Sequence, residues 1–309
     1  MGNDDGTSKP EAPAPMIVLG TVNRDHVVVV EHHPAPGETL LGDSYGFGTG
    51  GKGSNQAVAA ARAGVAPVFI SAVGDDSAGR ELLADLKTKG VDVSHVARLA
   101  GHPSGVALIT VSRDGENSIV VAAGAGAALS ADWTASTVAA LVRPGSVLLA
   151  QLELPLPVVV AACLAASAAG ARLALNLSPY REVPKALLAI ADPLIVNAGE
   201  ASALAGEAFA SLDDAARAAR ALASRCRSVV MTLGERGAVV ADRAGSEHFP
   251  AKKVPVVDTT GAGDSFAGAL AAALVTGDSL SDAVRKGIAA SALTVQHAGA
   301  QPPSDPRGA

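Results

Sequence analysis

At 309 residues, with 49% of them hydrophobic, the chain is long enough to bury a large core in one big domain or two small ones. A formal net charge of −6 argues against a broad nucleic-acid-binding surface, though not against a small anionic ligand at a local site. Two cysteines far apart in sequence, Cys163 and Cys226, speak against a disulfide framework and for a reducing cytoplasm; the histidines lack zinc-ligand spacing, and no apolar run is long enough to span a bilayer.

In chain order, Met1–Pro15 is polar, rich in Pro and Gly, and lacks the basic and apolar regions of a signal peptide, so it reads as a disordered tail. Met16–Val22 predicts a buried strand that ends in the polar group Asn23-Arg24-Asp25. Asp25–Glu31 and Leu40–Phe47 predict further strands around a turn at Pro34–Gly37. A helix is expected from near Gly53 to Ala63, with Gly64 suited to its C-terminal cap. Val68–Val73 predicts a strand, and Ala78–Lys89 an amphipathic helix with Leu82, Leu83 and Leu86 on one face and Gly90 as its stop. Val106–Val111 and Ser118–Val121 alternate around Asp114-Gly115, a hairpin signal.

Beyond that point the pattern becomes regular. Strands at Val147–Ala150, Leu173–Asn176, Leu194–Asn197 and Val229–Thr232 are separated by helical stretches, as in βαβ units with helices on both faces of a mainly parallel sheet. Polar residues recur at the strand ends, where open α/β sheets bind ligands: Glu153, Asn176, Asn197 and Thr232. The hairpin segments near residues 25–47 and 106–121 interrupt this pattern and are expected to pair as a separate small sheet.

Two glycine-rich segments carry chemistry. From Gly46 to Lys52 the chain imitates a phosphate-binding GxxxxGK loop, but Gly53 follows where Ser or Thr would hold magnesium. Consecutive glycines still let a ligand approach the backbone, and Lys52 and Asn55 offer donors and an acceptor suited to hydroxyl groups. The plainer reading is a glycine turn before a helix. The second segment runs from Asp258 to Phe266, between a strand-like Val254–Val257 and an Ala-rich helix, Phe266–Leu274. A dinucleotide GxGxxG fails there, because Phe266 stands at the third glycine. Gly261, Ala262 and Gly263 instead place backbone N–H groups at a helix N-terminus, which favours anions. Asp264 in that first turn is either a helix-stabilising acid or the base that takes a proton from an attacking hydroxyl. An anion hole beside a carboxylate suits phosphoryl transfer.

These residues resemble the ribokinase family of PfkB-type carbohydrate kinases, from about Met16 to Pro302. Both family motifs occur in order: GGKGSNQAVAAARAG from Gly50 to Gly64, and DTTGAGDSFAG from Asp258 to Gly268. GTVNRDH from Gly20, PGET from Pro36, GDDSAG from Gly74, QLELP from Gln151, TLGERG from Thr232 and GAQP from Gly299 add to the likeness. The resemblance implies a three-layer α/β/α ribokinase-like fold with a small β-sheet lid. It also implies a single kinase domain over 16–303 whose discontinuous lid comes from about 25–48 and 104–121, followed by a short tail over 304–309.

The implied reaction is ATP-dependent phosphorylation of D-ribose at its 5-hydroxyl, in the cytoplasm, by a homodimer joined through the lid. Another furanose (fructose, a deoxyribose or a nucleoside) is the alternative substrate, and a non-catalytic sugar or nucleotide sensor the alternative class. The resemblance assigns the base to Asp264 and the anion hole to Gly261, Ala262 and Gly263. It assigns sugar contacts to Asn23, Asp25, Gly50, Gly51, Lys52, Asn55 and Glu153, and nucleotide contacts to Asn197, Thr232, Leu233, Gly234, Glu235, Arg236, Gly237 and Gly263. Glu200 acts on Mg²⁺ through water in this family, and a K⁺ ion takes ligands matching Asp258, Thr260, Thr294, His297 and Gly299. Pro303 stands where the family commonly has a serine near that ion. Neither nucleic acid nor membrane is an expected partner.

Overall fold

The computed structural model describes residues 14–301. The expected tails lie outside the described residues except for Ala14 and Pro15, and so does Pro303. Strand β1, Met16–Leu19, is buried on both faces: Ile17 and Leu19 belong to one core, Met16 and Val18 to another. This alternation is what a strand sandwiched between two helix layers requires.

After β1 the chain leaves the body to form β2 (Asn23–Val30) and β3 (Ser44–Gly50), and returns as α1 (Lys52–Arg62), β4 (Val68–Gly74), α2 (Ser77–Thr88) and β5 (Val96–Leu99). A second excursion makes β6 (Gly105–Ser112) and β7 (Asn117–Ala122). The remainder is body: α3 (Ala131–Leu141), β8 (Val147–Ala150), α4 (Leu156–Ala168), β9 (Arg172–Asn176), α5 (Lys185–Ile190), β10 (Ala191–Asn197), α6 (Ala198–Ala205), α7 (Leu212–Ala223), β11 (Ser228–Thr232), β12 (Ala238–Asp242), β13 (Ser246–Phe249), α8 (Ala262–Val275) and α9 (Leu280–Thr294).

The described residues form a nine-stranded sheet in the order β13-β12-β11-β10-β9-β8-β1-β4-β5. It is parallel from β11 to β5, with β12 and β13 joined antiparallel at one edge. One core places side chains of α3, α4, α5 and α7 against Leu148, Leu173 and Val229; the other places α1, α2, α8 and α9 against Phe69, Leu149 and Val230. The expected three layers are therefore present. No helix among the described residues is long and apolar enough to cross a membrane.

Helices α1 and α8 touch backbone to side chain. A Cβ on Gly268 would lie 2.3 Å from the Gln56 carbonyl oxygen and 2.7 Å from Ala59 Cβ, so only glycine permits the approach. This contact brings the two glycine-rich motifs together, because each helix starts from one of them.

The two excursions pair as the expected small sheet, in the order β3-β2-β6-β7. Register sets Asn23, Asp25 and Val27 opposite Gly50, Gly48 and Gly46, so these six share one face. His26, opposite Phe47 and Leu108, lies on the other face, which is rich in exposed apolar side chains: Tyr45 and Phe47 are both 62% exposed and Val120 65%.

Three expectations need correction. Val254–Val257 makes no strand; its hydrophobic residues border a cavity or face solvent. The strand expected over Leu40–Phe47 is shifted to Ser44–Gly50, and Leu41 is 92% exposed. The first strand stops at Leu19 because Gly20 and Thr21 turn towards α1, where Ser54 N–H donates to the Thr21 carbonyl (3.0 Å).

Candidate active site

Helix α8 starts at Gly261, whose φ of +74° is left-handed and whose Cβ, if present, would meet Ala300 Cα at 2.5 Å. Gly261 has no side chain to cap the first turn. Ala262 N–H donates to the Thr259 carbonyl (3.2 Å), so the Gly263 end of the turn is left for an anion.

Asp264 is buried in that turn, and its two oxygens accept from consecutive residues of α1. Asn55 Nδ2 donates to Oδ2 (3.1 Å) and Gln56 Nε2 to Oδ1 (2.9 Å). Gln56 Nε2 also donates to Asn176 Oδ1 (3.0 Å), and Gln151 Nε2 donates to Gln56 Oε1 (2.6 Å).

On the small-sheet side, Glu153 Oε2 accepts from the Lys52 N–H (2.9 Å) and from Thr21 Oγ1. This pins the start of α1 to the loop after β8. Burial, and then the charge of Glu153, push the Asp25 carboxyl from 3.8 up to about 7. Gly50 abuts it, for a Cβ there would fall 1.8 Å from Asp25 Oδ2. Asp25 Oδ1 and Asn23 Oδ1 are buried acceptors without a protein partner. Such atoms call for a donor, and a polyhydroxylated ligand supplies one.

A cavity of about 210 Å³ lies in front of Asp264, lined by Lys52, Asn176, Asn197, Glu200 and Gly263 among others. A larger, more apolar cavity of about 640 Å³ adjoins it, with Thr232 and Gly263 bordering both. Thr232, Gly234, Glu235 and Gly237 line the larger one; Leu233 is buried in the core with α3, α4, α5 and α7, and Arg236 turns to the Ala210 carbonyl (3.5 Å). Sequence reasoning missed the opposite wall, Ala251–Val254 and Val256 with Ile288, Ala292 and Val295. No motif marks that wall: its apolar residues carry no recognisable pattern, and Lys252 and Lys253 stand outside any motif. Gln56 and Gln151 lie inside the two recognised segments without a role implied there, next to Asn55 and two residues before Glu153.

Asn197 and Glu200 form a reciprocal capping box, each accepting from the other's backbone N–H at 2.8 Å. The bond from Asn197 N–H engages Glu200 Oε2, and the residue borders the smaller cavity. Asp258 joins two segments: Oδ1 accepts from Thr260 N–H (2.8 Å) and Oδ2 from Gly299 N–H (2.7 Å). Burial alone would raise its carboxyl, yet these hydrogen bonds hold it below the usual range. The Thr294 hydroxyl donates within the protein, to Ser265 Oγ (2.7 Å) or the Ala290 carbonyl (3.1 Å), while His297 N–H returns to the Thr294 carbonyl (3.1 Å).

The family described as "pfkB family carbohydrate kinase" matches residues 15–307 of the chain. A ribokinase of Haemophilus influenzae is 38% identical over 287 residues, covering 93% of this chain and 94% of its own. A deoxyribokinase of Salmonella typhi is 32% identical, covering 92% and 93%. Among solved structures, Arabidopsis thaliana ribokinase complexed with ribose and ATP is similar with a TM-score of 0.86 and 30% identity, covering 95% of this chain and 96% of that one.

Proposed function

We infer that this chain, which belongs to the pfkB family of carbohydrate kinases, is a ribokinase that transfers the γ-phosphoryl group of ATP to the 5-hydroxyl of D-ribose. One observation carries the reading. Asp264 stands in front of a small polar cavity that adjoins a larger apolar one through Gly263 and Thr232. An acceptor hydroxyl and a nucleotide can thus meet at one carboxylate.

The unpartnered oxygens of Asn23 and Asp25, with Gly50, Gly51, Lys52, Asn55 and Glu153, would hold the sugar. Asp264 would take the proton of the attacking hydroxyl as its oxygen bonds to the γ-phosphorus and the bond to the β-phosphate oxygen breaks. The N-terminal amides of α8, Gly263 foremost, would stabilise the equatorial phosphoryl oxygens, and the larger cavity would take the nucleoside.

Magnesium, when bound, neutralises nucleotide phosphate charge. Among the described residues no cluster of three His, Cys, Asp or Glu side chains could hold a metal. The donor set nonetheless fits an ion carried by the nucleotide: Glu200 uses Oε2 for its cap and would hold a magnesium-bound water with the other oxygen. For K⁺, the segments clasped by Asp258 supply a partly buried negative charge and backbone carbonyls, which suit a large monovalent ion. Residues 258, 260, 294, 297 and 299 would hold it.

The apolar outer face of the small sheet supports a homodimer through that sheet, and the free buried thiols of Cys163 and Cys226 suit the cytoplasm. A steady-state assay of ADP release over ribose, deoxyribose, fructose and adenosine tests the substrate. Ribose should give the highest kcat/KM, and preference for deoxyribose would move the chain to the second sugar.

A further inference from the structure

We propose that Gln56 is a positioning residue for the base, the inner arm of a fork of side-chain amides that fixes the Asp264 carboxylate. A carboxylate can only accept, so Asn55 and Gln56 must both present their NH₂ groups to it. Their carbonyl oxygens then face away and need donors. Gln301 Nε2 supplies one to Asn55 Oδ1 (2.8 Å), and Gln151 Nε2 supplies the other to Gln56 Oε1 (2.6 Å). Amide polarity thus propagates outward from the anion to the end of β8 and to the segment after α9.

Gln56 is wholly buried and borders neither cavity. Both of its N–H groups are engaged, one on Asp264 and one on Asn176, and its oxygen is engaged by Gln151. A buried amide without ligand contact is costly unless each bond is made, so its function lies in what it holds. It holds one oxygen of Asp264 while Asn55 holds the other, which prevents rotation about the Cβ–Cγ bond. The lone pair that takes the proton therefore keeps one direction. This role acts on turnover and leaves sugar affinity alone, which separates Gln56 from its neighbour Asn55.

The inference rests on Asp264 being the base, so wild type and Asp264→Asn are assayed beside the test variants; loss of turnover in the latter decides that reading independently. Gln56→Glu keeps the shape and the acceptor for Gln151 but sets a second carboxylate against Asp264. Two carboxylates in contact share a proton, so the acid limb of the kcat profile should rise by about one pH unit or more. At neutral pH kcat should fall roughly tenfold or more, with KM for ribose and ATP within about threefold. A folded variant with the wild-type acid limb overturns the proposal, as does a rise in KM that accounts for the whole loss. Should Gln56→Glu lack a cooperative melt, Gln151→Met decides: it removes the donor to Gln56 Oε1 from one residue further out. A fall in kcat at constant KM supports the fork, and unchanged kcat overturns it.

Discussion

At the scale of single residues, Asp264 and Asp25 are two carboxylates in different surroundings. Asp264 is met by two donors, Asn55 and Gln56, which suits an ion poised to accept. Asp264→Asn should lower kcat by ~10²–10⁴, the usual cost of losing a general base, with ribose affinity within a few-fold by calorimetry. Retention of half the turnover would remove Asp264 from the role. Asp25 has burial and Glu153 against it, and its carboxyl titrates near 7. Its folded value lies above the unfolded one, so the native state holds the extra proton between about pH 4 and 7, and stability falls as pH rises through that window. Ribose binding to the carboxylate should run the other way, weakening as pH drops from 8 to 6. Asp25→Asn should lose this slope while melting higher than wild type at pH 8; a flat ribose affinity across the range in wild type would move Asp25 out of the sugar site.

Among the elements, those with strong periodicity or a flanking motif were legible in the sequence, and those held by tertiary context were not. The Leu82/Leu86 face of α2 and the left-handed Gly64 after α1 match their expected roles. The edge strands β5 and β13, the neighbouring β12 and helix α9 were not legible, since their apolar positions are short runs or small residues. Val254–Val257 misled because β-branched residues suit a cavity wall as well as a sheet. Gly268 offers a test at this scale. Helix propensity alone favours alanine by ~1 kcal/mol, but a Cβ 2.3 Å from the Gln56 carbonyl forces α1 and α8 apart. Gly268→Ala should therefore lower the urea midpoint, and a raised midpoint would show that the two helices part freely. The loop at Asp258 and the segment at Gly299 give a second one. A cation between them would order the start of α8, so activity in a buffer free of K⁺ and Na⁺ should rise on KCl titration at constant ionic strength; a flat response removes the site.

Across the whole molecule, the division between body and small sheet decides what each part can tolerate. The body is covered by helices on both faces, whereas the small sheet leaves Tyr45, Phe47, Leu108 and Val120 exposed. Such a surface is expected to find a second copy. Sedimentation velocity should report a dimer for wild type and a monomer for the Phe47→Lys, Val120→Lys pair, and a wild-type monomer at micromolar concentration would discard the interface. That the sheet would separate from the body was legible from the hairpin signals that break the α/β rhythm. Its exposed face was not, because exposure depends on which neighbour the fold leaves out.

The glycines of β3 carry a historical consequence. Gly46 and Gly48 share a face with Asp25, and a Cβ at either would meet nothing within 4 Å. The proposed base, by contrast, is anchored on a helix buried from Asp264 to Leu274, where change is costly. A lineage built this way can alter its diet without rebuilding its engine. One new side chain in that open space could reshape the sugar's berth in a single mutational step, with little loss of folding stability. Ribose and deoxyribose kinases of similar sequence are what descent through such steps would leave behind.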